Sequence, residues 1–433
     1  MIKIKPFCGV MYNPDLYRYG IPHMQYRDKD KVKDLSKVLA PPYDVISPQE
    51  QKEYYRQSAY NIIRIILGKD YPGDNARQNK YIRAKNFFNS WLKKRILTRD
   101  AKPCIYIYKQ SKRVGILALL RLEEFGKSVF PHEETFPMHK QDRARLLRTC
   151  KANFNPIFSL YSPGSKIIDG FIKDKLKEKP LVSIHLRGVP NRFWRIENSE
   201  EIKKIVQEMQ NSKVFIADGH HRYETALEYA REMRRKNLSH TGEEPYNFVM
   251  VMFVRIDDPG LEILPTHRLL KTSCKVAKLL SCRVKIDKYF NVKTFGSLQK
   301  MFKTLYRMKY SFGMYQGSGK YYVFSVKNMK EVGRRFESDI PRCWRQLGMV
   351  ILHHFFFKNI LQIAPTPQDT IKYTTNPCEA VRLVNRNEFQ IAFFLNSIKA
   401  EAVREIALTG EKMPHKATYF YPKPLSGLVI NKM

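Results

Sequence analysis

Continuous apolar runs along the chain predict buried β-strands. Residues 214–217 (VFIA) and 247–256 (NFVMVMFVRI) are mostly apolar, which is typical of central strands. IYIY at 105–108 and VGILALLRL at 114–122 are separated by the polar turn KQSKR and predict a strand pair. NIIRIIL at 61–67 predicts a further strand. All of these runs are shorter than the roughly 20 residues of a membrane-spanning helix, so we expect no membrane segment.

Apolar residues with helical spacing predict amphipathic helices between these strands. After the strand at 214–217, apolar residues recur every three or four positions from Tyr223 to Met233, and charged residues lie off that face. Residues 47–50 (SPQE) have the N-cap serine, first-position proline and early acid of a helix start. Further helices are predicted at about 75–97, 140–152, 167–178 and 199–210, and shorter strands at 156–161, 181–186 and within 261–270.

Composition places the 433-residue chain among globular proteins and gives it a large positive charge. Hydrophobic residues make up 43% and aromatic residues 12%, which excludes a disordered composition. The 77 Lys and Arg residues outnumber the 41 Asp and Glu residues, so the formal charge of +36 favours an anionic partner. The basic residues do not form one tail, and no RNP-like or zinc-finger pattern accompanies them. Specific nucleic-acid binding is therefore an alternative that we do not favour.

Cysteine usage and the N-terminal sequence predict a reduced, cytoplasmic protein. The chain has 7 cysteines and none has CxxC spacing, so we expect neither a disulfide framework nor a structural zinc site. The N-terminal residues MIKIKPFCGVMY lack the apolar segment of a signal peptide. The tail at 411–430 is rich in aromatic residues and is predicted to pack back on the body of the protein.

The sequence DGHHR at 218–222 lies between a predicted strand and a predicted helix, where a phosphate is favoured. The first N–H groups of a helix are unpaired, and its dipole presents a positive end there. Gly219 permits close approach of a ligand to the backbone, and Arg222 offers a bidentate fork for phosphate. His220 and His221 add donors near neutral pH. Asp218 could hold a magnesium ion, order the histidines or cap the helix.

Other polar residues are candidates for contacting a substrate. PHEET at 131–135 places His132 and Glu133 on a loop, where Glu133 is either a general base or a solvated acid. HExxH zinc geometry fails there because position 136 is Phe. Asp44 in APPYDVIS is interpreted as ordering a turn. The remaining candidates for an anion contact, each of which could equally be structural, are His267 and Arg268 after a predicted strand and Lys416, Thr418 and Lys423 in the tail.

Two of these segments resemble a known fold. A strand followed by DGHHRYETA resembles the signature turn of the ParB/sulfiredoxin fold, in which a Gly-x-x-Arg turn at a helix N-terminus holds nucleotide phosphates. PHEE at 131–134, a helix with Asp142 and Arg143, and NPIF at 155–158 are similar to the segment that precedes this turn in the free-serine kinases of that fold. The resemblance implies an α+β fold with a mixed-sheet core.

The same resemblance implies a chemistry. ADP or ATP with Mg²⁺ would be the cofactors, and free L-serine would be the phosphoryl acceptor. Glu133, or alternatively Glu134, would act as general base. Asp218 and His220 are the other catalytic candidates, and Asp218 is the candidate magnesium ligand.

A longer resemblance covers nearly the whole chain. Six segments, IKPFCGVMYNP, APPYDVIS, PHEET, ADGHHRYETA, LPTHRLL and MPHKATYFYPK, agree in order with the bacterial family called domain of unknown function 1015, and the chain is identified as a member of it. Two segments depart from the family pattern. His415 and Ala417 replace the Gln and Ser of Met-Pro-Gln-Lys-Ser-Thr, and Gly348 replaces the Asp of Leu-Asp-Val. If those positions have a chemical role, this copy is weakened or altered.

The resemblances imply three regions and one leading hypothesis. Residues 1–124 would form an N-terminal α/β region, 125–256 a nucleotide-binding core with an insertion at about 162–210, and 257–433 a C-terminal α/β region packing on the core. The leading hypothesis is a nucleotide-dependent phosphotransferase that acts on a free small hydroxyl metabolite, L-serine or O-phosphoserine, with phosphates held at DGHHR. The alternatives are a ParB-like nucleotide-binding or nucleic-acid-associated module without phosphoryl transfer, and a phosphate-ester hydrolase.

Overall fold

The computed structural model divides the chain into two units. It describes residues 1–18, 34–133, 137–162, 164–271, 282–337, 340–341, 344–363, 370–410, 413 and 416–433. The first unit comprises Met1–Pro131, Thr135–Leu261 and Pro422–Met433, and the second comprises His132–Glu134 and Glu262–Tyr421. In the described ranges no helix has the length and apolar character needed to cross a membrane.

The main sheet of the first unit is mixed, as the sequence predicts. Its described residues form nine strands, of which Ile4–Lys5 pairs antiparallel with Arg113–Arg121 beside the path of the other eight. Two neighbouring pairs are parallel and the others are antiparallel. In spatial order the eight strands are Val129–Phe130, Val214–Asp218, Ile157–Tyr161, Phe248–Arg255, Arg113–Arg121, Ile105–Gln110, Val189–Ile196 and Val182–Leu186.

Helices and short strand pairs complete the first unit. Helix Pro137–Cys150 packs on helix His220–Lys236 and on helix Lys80–Lys93. The remaining α-helices are Asp15–Arg18, Pro48–Gln57, Ile63–Ile66, Ile167–Lys175 and Ser199–Met209, with 3-10 turns at Leu35–Lys37, Tyr43–Val45 and Pro245–Asn247. The short strand pairs join Val10–Tyr12 to Leu97–Arg99 and Ala152–Asn153 to Asn431–Lys432.

Most sequence predictions for the first unit are confirmed. The central strand at 247–256 is Phe248–Arg255, and its first seven residues are buried. The predicted strand pair is Ile105–Gln110 and Arg113–Arg121, joined by a two-residue turn. Helix Pro48–Gln57 begins at Ser47, whose hydroxyl accepts from the Glu50 N–H while the Glu50 side chain accepts from the Ser47 N–H. This is the capping box that the sequence SPQE predicts.

The predicted strand at 61–67 is wrong, because this segment forms the short helix Ile63–Ile66. Isoleucines 62, 63, 65 and 66 are all buried, and a continuous apolar run does not distinguish a buried strand from a buried helix. Asn61 decides the local structure. Its side-chain oxygen accepts from the Ile63 N–H at 2.9 Å, while its amide donates to the Lys37 carbonyl at 2.7 Å.

Two strands from 182–196 extend the main sheet at one edge. The strand predicted at 181–186 is Val182–Leu186, but its partner Val189–Ile196 is not among the predicted strands. Pro190 and the charged residues of Val189–Ile196 hide its alternation, since proline inside a run argues against a strand. Phe193 and Trp194 of this strand are nevertheless buried.

The second unit is built on an antiparallel sheet. In the residues that the structure describes, its six strands follow the order Phe290–Phe295, Tyr321–Val326, Ser311–Tyr315, Ile391–Phe394, His267–Leu270 and Ile371–Thr374. Strand Glu262–Leu264 pairs separately with Tyr419–Tyr421. The helices are Arg283–Tyr289, Leu298–Leu305, Met329–Gly333, Gly348–Val350, the π-helix Ile351–Leu361, Pro377–Asn385 and Ala400–Leu408, with a 3-10 turn at Trp344–Gln346.

The described part of the C-terminal tail, from residue 416 onward, forms strand pairs, as the predicted packing of the tail implies. In the second unit Tyr419–Tyr421 pairs antiparallel with Glu262–Leu264. In the first unit the Ile430 N–H donates to the Val10 carbonyl at 2.8 Å, and Asn431–Lys432 pairs with Ala152–Asn153. The predicted packing of the tail is therefore confirmed.

Candidate functional site

The turn that joins strand Val214–Asp218 to helix His220–Lys236 contains the DGHHR sequence. Gly219 is the N-cap of the helix, and its φ of +97° lies in the left-handed region that favours glycine. A Cβ atom at this position would lie 2.8 Å from Nη2 of Arg222. The interpretation of Asp218 as the N-cap is wrong, because Gly219 occupies that position and the Asp218 carboxylate accepts from side chains.

Each carboxylate oxygen of Asp218 accepts a hydrogen bond from a positively charged side chain. Its Oδ2 accepts from Nη2 of Arg222 at 2.6 Å, and its Oδ1 accepts from Nζ of Lys423 at 2.5 Å. The Asp218 and Arg222 side chains are only 16% and 14% exposed. Hydrogen bonds between charged partners are shorter and stronger than those between neutral ones, so these contacts fix the position of the Asp218 side chain.

Lys423 joins this carboxylate to a second one. Its Nζ also donates to Oδ2 of Asp44 at 2.5 Å. Burial alone lowers the pKa of the Lys423 ammonium, but the Asp218 and Asp44 carboxylates outweigh burial and hold that pKa well above its ordinary value. We call Asp44, Asp218, Arg222 and Lys423 the Asp218 cluster; its two cations balance its two carboxylates.

The backbone around Lys423 is fixed by neighbouring side chains of the first unit. Nη2 of Arg113 donates to the Pro422 carbonyl at 2.5 Å, and the Gln110 amide donates to the Lys423 carbonyl at 3.0 Å. Arg113 lies over the Phe158 ring at 4.4 Å, and burial lowers the pKa of this guanidinium to about 10. Lys423 is therefore positioned by its backbone as well as by its ion pairs.

Arg222 has a further acceptor outside its own helix, and Asp44 lies in a short turn. Nη1 of Arg222 donates to the Pro156 carbonyl at 2.5 Å, so both ends of its guanidinium fork contact protein acceptors. Asp44 lies in the turn Tyr43–Val45. The neighbouring Tyr43 ring lies 3.8 Å from the Arg143 guanidinium, and burial is the main cause that raises the pKa of the Tyr43 hydroxyl.

The two histidines of the turn differ in exposure. His220 is 4% exposed, so it supports the turn and offers little surface to a ligand. His221 is half-buried. Both lie in the first turn of the helix, where backbone N–H groups are available to an anion.

Among the candidates of the second unit, His132 and Glu133 contact the C-terminal tail. His132 is buried, and its Nε2 lies 2.8 Å from the Thr418 hydroxyl. Oε1 of Glu133 accepts from the Lys416 N–H at 2.9 Å. Glu133 belongs to the second unit and Asp218 to the first, so the expectation that they act in one site stays a prediction.

His267 and Arg268 are core residues of the second unit. Both are 1% exposed. Nδ1 of His267 accepts from the Leu395 N–H at 3.3 Å, and burial, with a smaller effect of Arg268, lowers the pKa of this imidazole to about 3. Arg268 donates to the carbonyls of Thr266 and Lys416 and to His353. These contacts favour the structural interpretation of the pair over substrate binding.

The described residues provide no ready-made set of ligands for the predicted magnesium ion. In the described ranges no group of three or more His, Cys, Asp or Glu side chains could hold a metal ion. Both oxygens of Asp218 contact cations, and a magnesium ion would have to displace Lys423 or Arg222. The candidate base Glu134, and His415, where the sequence departs from the family pattern, lie outside the described residues.

Two residues of the Asp218 cluster were not assigned to the site by sequence. Asp44 was interpreted only as a turn residue, and Lys423 was one of several tail candidates. The signal that could have found them is the family resemblance itself, because Asp44 lies in APPYDVIS and Lys423 ends MPHKATYFYPK.

Comparison with solved structures finds remote similarity. A conserved hypothetical protein from Pyrococcus furiosus has 11% identity and a TM-score of 0.34, and the match covers 74% of this chain and 92% of that chain. A free serine kinase in complex with AMP has 10% identity and a TM-score of 0.34, with coverage of 69% and 89%. SbnI with a C-terminal truncation, from Staphylococcus aureus, has 10% identity and a TM-score of 0.34, with coverage of 72% and 85%.

Comparison of the sequence gives the family. None of the curated proteins matches the chain. The family model described as protein of unknown function, DUF1015, matches residues 21–350 of 433, which is well over half of the sequence. The chain therefore belongs to the DUF1015 family of proteins of unknown function.

Proposed function

We propose that this protein is a nucleotide-dependent phosphotransferase that acts on a free small hydroxyl metabolite, L-serine or O-phosphoserine. The observation that carries the proposal is the Asp218 cluster. It places two charged donors, Arg222 and Lys423, at the N-terminal end of helix His220–Lys236. Cations beside the positive end of a helix favour a phosphate. Within this proposal, residues 125–256 are the ParB/sulfiredoxin-like core.

The residues of the cluster would bind and orient phosphates. Phosphoryl transfer depends mainly on positioning and on neutralisation of charge. A bound ADP or ATP would supply the phosphoryl group or accept it. The first-turn N–H groups and the Arg222 guanidinium would hold phosphate oxygens, and Lys423 would neutralise their charge. Asp218 keeps both cations in place before a ligand arrives, because it pairs with both of them.

Glu133 is the proposed general base for the acceptor hydroxyl. Its Oε1 accepts from the Lys416 N–H, so the carboxylate has a defined orientation. Glu134 is the second candidate, on the motif PHEE alone.

Phosphorus NMR tests the proposal directly. The full chain would be incubated with ATP or ADP, magnesium, and L-serine or O-phosphoserine, and product signals would be followed over time. We expect turnover in one direction and a loss of at least tenfold in Arg222→Met and in Glu133→Gln. Lys112→Met is the matched control, because Lys112 is exposed in the turn between two strands of the same sheet.

Each negative result has a definite meaning. If no phosphoryl transfer occurs in either direction, the serine phosphotransferase is excluded. If Glu133→Gln and Glu134→Gln keep full turnover, the base assignment is wrong. Release of inorganic phosphate without an acceptor would indicate the hydrolase instead, and nucleotide binding without turnover would indicate a binding module.

A further inference from the structure

The second unit contains a cavity that the proposed function does not use. Its volume is about 790 Å³, within the range of small-molecule sites. All of its lining residues belong to the second unit, between Thr266 and Ala417. They include Gly348 and Ala417, two of the positions at which this sequence departs from the family pattern.

Two buried polar atoms of the lining have no hydrogen-bond partner among the described residues. They are Oγ1 of Thr266 and Oδ1 of Asn396. Thr266 is only 5% exposed. Asn396 is fixed because its Nδ2 donates to the Leu305 carbonyl at 2.9 Å, so Oδ1 is the end of the amide that lacks a partner. Both atoms have almost no accessible surface in the free protein, so a ligand reaches them only when their side chains turn toward the cavity. Buried polar atoms are nearly always satisfied, and a hydrogen bond from a ligand would satisfy these two.

The charged lining residues give the sign of that ligand. Besides the buried Arg268, five charged residues line the cavity: the basic Arg307, Lys309 and Lys399, and the acidic Glu401 and Glu405. No salt bridge within the described part of the chain involves any of these five residues. The cavity is therefore net positive, and a charge-complementary ligand is an anion.

We propose that this cavity binds a small organic anion that carries at least one N–H or O–H donor. The anionic group pairs with the basic lining. The donor group satisfies Oδ1 of Asn396, which can only accept, and the Thr266 hydroxyl completes the contact in either role. The site is separate from the Asp218 cluster, since every residue that forms it belongs to the second unit.

Matched pairs of probes test this chemistry by isothermal titration of the full chain. O-phosphoethanolamine and ethyl phosphate differ by one amino group, and L-malate and succinate differ by one hydroxyl. The first pair tests a phosphate and the second a dicarboxylate. We expect at least one donor-bearing probe to bind at one equivalent, at least tenfold more tightly than its partner. Absence of saturable binding by all four, or equal affinities within both pairs, would overturn the proposal.

Variants locate the binding. Thr266→Val removes only the hydroxyl that lacks a partner, so the free protein should keep its melting temperature while the affinity falls at least fivefold. Lys309→Met should also weaken binding, whereas Lys293→Met, at an exposed strand position, should not. Arg222→Met in the first unit should leave this binding unchanged. Binding that survives Thr266→Val and Lys309→Met but is lost in Arg222→Met would assign the ligand to the Asp218 cluster and refute the second site.

Discussion

Replacing Lys423 by methionine tests whether the Asp218 cluster is a buried ion network. The Lys423 side chain is 8% exposed, and the Asp218 and Asp44 side chains are 16% and 29% exposed. Removal of one partner from a buried ion pair costs roughly 3–5 kcal/mol. Asp218 keeps Arg222, and Asp44 keeps some contact with water, so we expect a loss of about 2–3 kcal/mol in the free energy of unfolding.

Urea unfolding followed by tryptophan fluorescence measures this loss in the first unit. The chain has 3 tryptophans, and a Trp344→Phe background leaves Trp91 and Trp194, which both belong to the first unit. Phenylalanine is tolerable at 344, because Nε1 of Trp344 has no hydrogen-bond partner in the described residues. Lys112→Met is the control. A loss below about 0.5 kcal/mol, as for an exposed pair, would refute the buried network.

A double variant separates the charge effect from the loss of packing. Lys423→Met leaves Asp44 without this cation, and Asp44→Asn removes the charge that the cation balances. The pair Lys423→Met and Asp44→Asn should therefore recover about 1 kcal/mol relative to Lys423→Met alone. Strict additivity of the two losses would mean that the two side chains do not interact.

Further substitutions and pH changes give three more predictions. Gly219→Ala should lower the free energy of unfolding in urea by about 1 kcal/mol more than Gly126→Ala does. Both glycines have a positive φ, but only at Gly219 would the added Cβ crowd Arg222. Equal losses for the two variants would contradict this. The pKa of Lys423 is raised in the folded state, so the stability that its ion pairs contribute is complete below pH 10.5 and is lost as the pH rises further. Above pH 10.5 the wild type should therefore lose more stability than Lys423→Met. Parallel curves of stability against pH would count against the ion pairs. Burial lowers the pKa of His267 from 6.5 to about 3, so the stability contributed by the neutral imidazole is complete above pH 6.5 and is lost as the pH falls toward 3. The stability of His267→Gln should depend less on pH in this window. An unchanged slope of stability against pH would disprove a buried neutral imidazole.

The sequence predicts the turn at 218–222 well because every signal there is local. A β-branched run, a glycine and an apolar helical period follow one another within 20 residues, and the structure has strand Val214–Asp218, Gly219 in the left-handed region and helix His220–Lys236. Local signals do not say where a side chain points. The predicted contact of Arg222 with a phosphate stays a prediction, and the sequence did not indicate the contacts of Arg222 with Asp218 and the Pro156 carbonyl.

The composition of the cluster could not be deduced from spacing along the chain. Lys423 lies 205 positions from Asp218 and 379 from Asp44. Contacts at such separations depend on tertiary packing, here on strand pairing at the chain ends and on Arg113 beneath the Pro422 carbonyl. A turn aspartate and a tail lysine are common on any surface, so neither residue indicates its partner by itself.

The large positive charge predicts an anionic partner but does not locate its site. The Asp218 cluster is locally neutral, so the excess of +36 lies elsewhere, mainly on lysine and arginine side chains in contact with solvent. Such charges attract anions over a Debye length of about 8 Å at physiological ionic strength and are screened by added salt. The buried pairs of Lys423 are screened much less. Added salt should therefore change the association rate of an anionic ligand more than it changes the strength of the ion pairs within the cluster. The net charge of the chain and the geometry of its sites are separate contributions to recognition.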